Sequence, residues 1–175
     1  MEVSHADRVV FAEVGRTKGD VVAYFERVAE RALPHLLGRP LSIRRYPNGL
    51  AGPGFFQKNV PPHYPASIER HPIPRSAEAT KRHRSKGAAA PRDETVYPVV
   101  TRPEHLAYLA NQGAIELHVP TARVPRLFCP DSVVIDLDPP PGAVALVQRT
   151  ALVVRDRMGE LGLPTVPVAT GSPPR

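Results

Sequence analysis

The sequence predicts an α+β fold, and three stretches carry that reading. Between Thr17 and Gly38 apolar residues recur at helical spacing. "AIELHVP", residues 114 to 120, alternates apolar and polar side chains as a half-buried strand does. "VVIDLD", residues 133 to 138, is a short apolar run stopped by "PPPG". The expected order is a helix with small strands first, then the beginning of a β-sheet with helices on one side.

The first helix has a start signal in Thr17, with Asp20 three residues on as a variant capping box. Val21, Val22, Phe25, Val28, Ala29, Ala32, Leu33, Leu36 and Leu37 mark its buried face. Pro34 should loosen the last turn and Gly38 should end it. Leu41 to Tyr46 then reads as a strand, "PNG" as a turn and Phe55 to Lys58 as a second strand, a hairpin with basic residues on both arms. "SIERHPIPRS", residues 67 to 76, is a strand interrupted by prolines and therefore placed at a sheet edge. Residues 77 to 93 have no period and carry a basic cluster, which predicts a mobile surface loop. "ETVYPVV" is a strand, and "TRPEHLAYLANQG" a helix with Thr101 as its cap, Pro103 in its first turn and Gly113 at its end. After "AIELHVP" and "VVIDLD" come a helix from about Ala143 to Gly162 and a last strand, "PTVPVAT".

The 175 residues suit one domain large enough to bury a core. The net charge is +6 and the pI about 9.9, which favours polyanionic partners, nucleic acid before anionic membrane. A single cysteine, Cys129, excludes an intrachain disulfide and a zinc cluster, and fits a reducing cytoplasm. No run approaches the ~18 apolar residues of a membrane span, and "MEVSHADRVV" is not a signal peptide. Much of the 22-residue proline content marks turns and loop edges.

On a strand, Asp136 and Asp138 project from one face, roughly 7 Å apart at Cβ. Two unpaired carboxylates there repel each other. A divalent cation between them would relieve that, whereas a solvated turn before proline would explain them equally well.

Taken in order, "RTKGDVVAYFERVAE", "RRYPNG", "PGFFQK", "NQGAIELHVP" and "VVIDLDP" resemble the polymerase domain of bacterial ligase D. This is the primase-polymerase member of the archaeo-eukaryotic primase superfamily, which adds nucleotides to DNA ends in non-homologous end joining. The resemblance runs from about residue 3 to residue 172 and implies a primase-like catalytic sheet with packed helices. It makes Asp136 and Asp138 the first two of three metal-binding carboxylates. Such a site holds a pair of Mg²⁺ or Mn²⁺ ions about 3.5–4 Å apart, which stabilise the attacking 3′-oxygen and the leaving pyrophosphate. His5, Arg8 and Lys18 match the positions that hold a DNA 5′-phosphate, although the family commonly has Asn and Lys where this chain has His5 and Arg8. Lys18 would also benefit from the unpaired amides and dipole of a helix N-terminus. Phe55 and Phe56 match the aromatic pair that stacks on template bases, with Lys58 close behind. On a strand one of the two phenylalanines should face the core, leaving only one for DNA. His118 matches the nucleotide-pocket histidine, and Arg44 and Arg45 are further candidates for phosphate or nucleotide contact.

The chain departs from the family at its end. Thr170, Gly171 and Ser172 match the start of a nucleotide-binding motif, but Pro173, Pro174 and Arg175 stand where the family has the Lys-Gly-Leu-His that meets the triphosphate. The resemblance therefore implies a C-terminally truncated primase-polymerase domain over 1–175, as a frameshift or a gene fragment would leave. Residues 1–66 would form an N-terminal module for 5′-phosphate and template contact, and 67–175 a partial catalytic core. Without the third aspartate, metal binding should be weak, the sheet edge unpaired and an apolar face uncovered.

The expectation is a nucleotidyltransferase fragment of end-joining repair that is inactive or weakly active. A non-catalytic DNA-end or 5′-phosphate binding module, or a gene relic, is the alternative. Implied partners are gapped or 5′-phosphorylated duplex ends, NTP or dNTP, a Ku-like protein and an ATP-dependent DNA ligase, in the cytoplasm at the nucleoid and with no membrane.

Overall fold

The structure is a computed structural model, and it describes residues 2–75, 93–138, 140 and 142–168. The chain divides into two compact units, Met1–Ser132 and Val133–Arg175.

The first unit opens with a small antiparallel ribbon that has no periodic signal in the sequence. Strand β1, Val9–Phe11, is followed by a single 3-10 turn, Ala12–Val14, and by β2, Arg16–Thr17. Helix α1 runs from Lys18 to Leu36 behind a complete capping box: the Asp20 amide donates to Thr17 Oγ1, and the Thr17 amide donates to Asp20 Oδ2. Pro34 lies inside its last turn, and Gly38, at φ +71°, turns the chain away.

Strand β3, Ser42–Arg45, is the centre of a three-stranded antiparallel sheet in the order β4-β3-β7. Its neighbours are β4, Phe55–Gln57, and β7, Ala114–His118. Strands β5, Glu69–Pro74, and β6, Glu94–Val99, form a separate antiparallel pair. Both are edge strands there, which accommodates Pro72 and Pro74. Helix α2, Pro103–Asn111, starts with proline in its first turn. Thr101 does not cap it: Arg102 holds the cap position, and the Thr101 amide instead donates to Nδ1 of the buried His105.

Two apolar clusters hold this unit together. One joins Ala29 and Leu36 of α1 to Leu41, Ile43, Ile68, Val100, Leu106 and Leu109. The other joins Val21 and Val22 to Val10, Ala107 and Ala110. Helices α1 and α2 thus pack on each other and on one face of the β3 sheet.

The second unit has one regular element among its described residues, helix α3, Val144–Glu160, none of whose residues is buried. The expected strands at 133–138 and 164–170 are not present: the described residues of both are irregular. Val133 and Val134 are 72% and 78% exposed, and Val166 and Val168 are 83% and 79% exposed. A strand is made by the neighbour that takes its backbone hydrogen bonds, and no described residue pairs with either run. The expected basic loop at 77–93 lies, apart from Asp93, outside the described residues.

Candidate nucleic-acid interface

The fold brings His5, Arg8 and Lys18 to one cavity of about 200 Å³. Ser4, Arg45 and Asn111 line it as well, and among the described residues no carboxylate does. A turn with His5 at φ +51°, closed by the Arg8 amide on the His5 carbonyl at 3.1 Å, brings the N-terminal segment back over α1. Lys18 is the first residue of α1 and is almost wholly buried. Its Nζ donates to the Ser4 carbonyl at 2.6 Å and to Ser4 Oγ at 2.7 Å. An ammonium has three protons, so one donor is left for a ligand. Arg8 donates one guanidinium proton to the Pro47 carbonyl and retains others. Burial, then the charges of Arg8 and Arg45, lower the Lys18 pKa. The cavity is thus a concentration of positive charge with no carboxylate to balance it among the described residues.

The helix N-terminus contributes less than the sequence suggests. The Lys18 amide donates to the Arg8 carbonyl and the Gly19 amide to the Ala6 carbonyl, both at 2.8 Å, and the Asp20 amide is taken by Thr17. The first-turn donors are therefore engaged by the chain itself, and side chains must do the recognising. The approach of Ala6 is close: a Cβ on Gly19 would stand 3.1 Å from its carbonyl oxygen.

A second cluster occupies the outer face of the three-stranded sheet. Arg44 stands opposite Phe56 on β4 and Glu116 on β7, so all three side chains share a face. Glu116 accepts from Tyr46 Oη at 2.7 Å and from Arg44 at 3.3 Å, and His118 Nε2 lies 3.3 Å from its other oxygen. The Tyr46 hydrogen bond, followed by the Arg44 charge, lowers the Glu116 pKa, and the same bond raises that of Tyr46. The Arg44 guanidinium lies 5.5 Å from the Phe56 ring centroid, and Phe56 packs at 5.1 Å from the His118 ring. His118 is exposed and lies on the Glu116 side, away from Leu117, which packs against the core.

The expectation that one phenylalanine is buried does not hold, since Phe55 is 46% and Phe56 55% exposed. Alternation does send them to opposite faces. But β4 is an edge strand, and beside Phe55 the core-side face has already become polar, with Arg45 and Gln57 in place of apolar partners. Lys58 is exposed immediately after β4.

Asp136 and Asp138 lie in the second unit, both exposed and on irregular backbone, so strand alternation does not place them on a common face. Among the described residues no group of three His, Cys, Asp or Glu side chains is placed to hold a metal ion. Two carboxylates fall short of a two-metal centre. Thr170 and Ser172 lie outside the described residues. Glu116, Tyr46 and the double use of Arg45 were not singled out from the sequence, although Glu116 and Tyr46 sit at i±2 from residues that were.

The family model for the ligase D (LigD) primase-polymerase domain matches residues 17–173. The chain belongs to the LigD primase-polymerase domain family. It is 35% identical over 181 residues to the multifunctional non-homologous end joining DNA repair protein LigD of Mycobacterium tuberculosis, covering 97% of this chain and 22% of that protein. It is 32% identical to the multifunctional LigD of Mycolicibacterium smegmatis, covering 98% of this chain and 21% of the relative. It is also similar to the bifunctional LigD of Bacillus subtilis, at 29% identity over 80% of this chain. Among solved structures, the polymerase domain of M. tuberculosis ligase D in complex with DNA superposes with a TM-score of 0.79 at 32% identity. That match covers 98% of this chain and 58% of the solved one. The chain therefore spans about a fifth of the curated relatives and somewhat over half of that polymerase domain. Its mixed helix-and-sheet architecture is that of the LigD polymerase domain, and the family works in non-homologous end joining.

Proposed function

We propose that this chain is the DNA-end-engaging part of a LigD-type nucleotidyltransferase, and that it takes a 5′-phosphate in the cavity of His5, Arg8 and Lys18. The observation that carries this reading is the convergence of Arg8, Arg45 and the buried Lys18 on one small cavity that no carboxylate of the described residues lines. The free protons of Lys18 and Arg8 suit a phosphate through charge-assisted hydrogen bonds. The solved relative's complex with DNA supports the same class of ligand. Phe56 and Phe55, each beside an arginine, supply stacking surfaces for unpaired template bases, with Lys58 close to the backbone.

In this proposal His118, with Thr170 and Ser172, meets an NTP or dNTP. Asp136 and Asp138 would hold Mn²⁺ or Mg²⁺ weakly, without the third carboxylate of a complete site. Metal would supply Lewis acidity for nucleotide addition. From these 175 residues alone that addition is expected to be weak or absent. A Ku-like end-binding protein and an ATP-dependent ligase are the proposed partners, and the nucleoid in the cytoplasm is the proposed place of work.

The test is binding of gapped duplexes that differ only in a 5′-phosphate or 5′-hydroxyl, at two salt concentrations. Tighter, salt-sensitive binding of the phosphorylated end is expected. Equal binding of both ends would remove the proposal. Nucleotide addition with Mn²⁺, against an Asp136→Ala control, measures the catalytic part separately.

A further inference from the structure

Arg45 belongs to two sites at once. It lines the cavity with His5, Arg8 and Lys18, and its Cζ lies 5.6 Å from the Phe55 ring centroid. Arg45 and Phe55 are direct cross-strand partners on one face of the sheet, which fixes the pairing by register. The guanidinium is held on two further sides: Nε donates to the Gln112 carbonyl at 2.6 Å and Nη1 to Gln57 Oε1 at 2.6 Å. Gln57 in turn donates to Tyr64 Oη at 3.0 Å, which ties the group to the core. A planar fork held in this way cannot reorient toward the cavity without changing what it presents to the ring.

Electrostatics give the coupling a sign. Arg45 shares the cavity with Arg8 and Lys18, and their like charges oppose the seat it takes beside Phe55. An anion among them turns that repulsion into attraction and fixes the guanidinium in place beside Phe55. We infer that Arg45 is a positioning residue that couples the cavity to Phe55, so that holding a 5′-phosphate and stacking a template base on Phe55 are cooperative. This rests on the proposed 5′-phosphate reading of the cavity. Coupling of this kind is reciprocal: the phosphate preference must be larger when a base is available to stack than when none is.

The experiment needs no variant at first. Affinity is measured for four gapped duplexes, with 5′-phosphate or 5′-hydroxyl, and with a normal or an abasic template residue across the gap. The preference for phosphate should fall by at least about fivefold with the abasic template, the lower end of ordinary coupling between sites. Phe55→Ala, at an exposed position, should lower it likewise on the normal template. Arg45→Lys retains the charge but not the planar fork, and whatever phosphate preference it has should no longer depend on the template base. An unchanged preference across both templates in the wild-type chain would overturn the coupling while leaving the phosphate cavity standing. No phosphate preference on either template would overturn both.

Discussion

Arg39 grips Asp131 at two points: its Nη2 lies 2.7 Å and 2.8 Å from the two carboxylate oxygens, across 92 positions of sequence. Arg123 closes the clasp from the other side, with Nε 2.7 Å from Asp131. The two arginines also take up carbonyls at the end of α1, Arg39 that of His35 at 3.1 Å and Arg123 those of Pro34 and Leu37. The clasp therefore completes the C-terminus of the helix with cations, where orphan carbonyls and the dipole favour them.

Acid should open this clasp. Hydrogen bonds from Arg123 and then Arg39 lower the Asp131 pKa from 3.8 to about 2. A carboxylate depressed in the folded state contributes stability above its unfolded value, and that contribution is lost as pH falls through the folded one. The urea midpoint should decline between about pH 4 and pH 2, and Asp131→Asn should be less stable at neutral pH with a shallower decline. A decline of equal slope in the variant would assign the acid sensitivity to other groups.

Lys18 sets an upper pH limit on phosphate binding. Its pKa is lowered by burial and by the charges of Arg8 and Arg45, so it loses its proton below the ordinary lysine range. The 5′-phosphate preference should therefore fade at a pH lower than an unperturbed lysine would allow, and Lys18→Gln should have little preference at any pH. Titration of the preference between neutral and alkaline pH reads this directly.

Phe56→Ala should weaken binding of single-stranded template by about 1–3 kcal/mol, the usual worth of one stacked base. The ring is more than half exposed and packs beside Arg44 and the exposed His118, so the unfolding midpoint should hardly move. Anisotropy with a labelled single strand, alongside a denaturant curve, separates the two effects.

Gly54 is required by Tyr46. A Cβ at position 54 would stand 2.5 Å from the tyrosine ring, which has to swing away and release Glu116. Gly54→Ala should destabilise the fold by about 1–3 kcal/mol through overpacking. It should also bring the Tyr46 phenol, now raised by its bond to Glu116, back toward the ordinary tyrosine range. Tyrosine-specific NMR titration would detect a change at this ring, and an unmoved titration would show that it finds another way to keep the bond.

Local chemistry made much of the first unit legible. The Thr17–Asp20 capping box, the hairpin at "PNG" and the alternation of Ala114–His118 all depend on residues close in sequence, and all three stand in the structure. The 133–138 strand depended on something else. Its β-branched residues are suited to a sheet, but a strand exists only where another segment accepts its hydrogen bonds, and propensity does not supply one. Thr101 likewise does not cap α2: Arg102 holds the cap position, and the Thr101 amide donates to the buried His105 ring.

By itself, then, the sequence determined the helices, the strands β3 to β7 of the first unit, the surplus of positive charge and the ordered motifs of the LigD polymerase domain. Only the tertiary structure decided which charges meet. It gathered His5, Arg8, Lys18 and Arg45 around one cavity, tied Arg39 and Arg123 to Asp131, and left both Phe55 and Phe56 open to solvent. The physical reason is range. Backbone preferences and caps act within a few residues, whereas the energy of a charge depends on which neighbours and how much water the folded chain places around it.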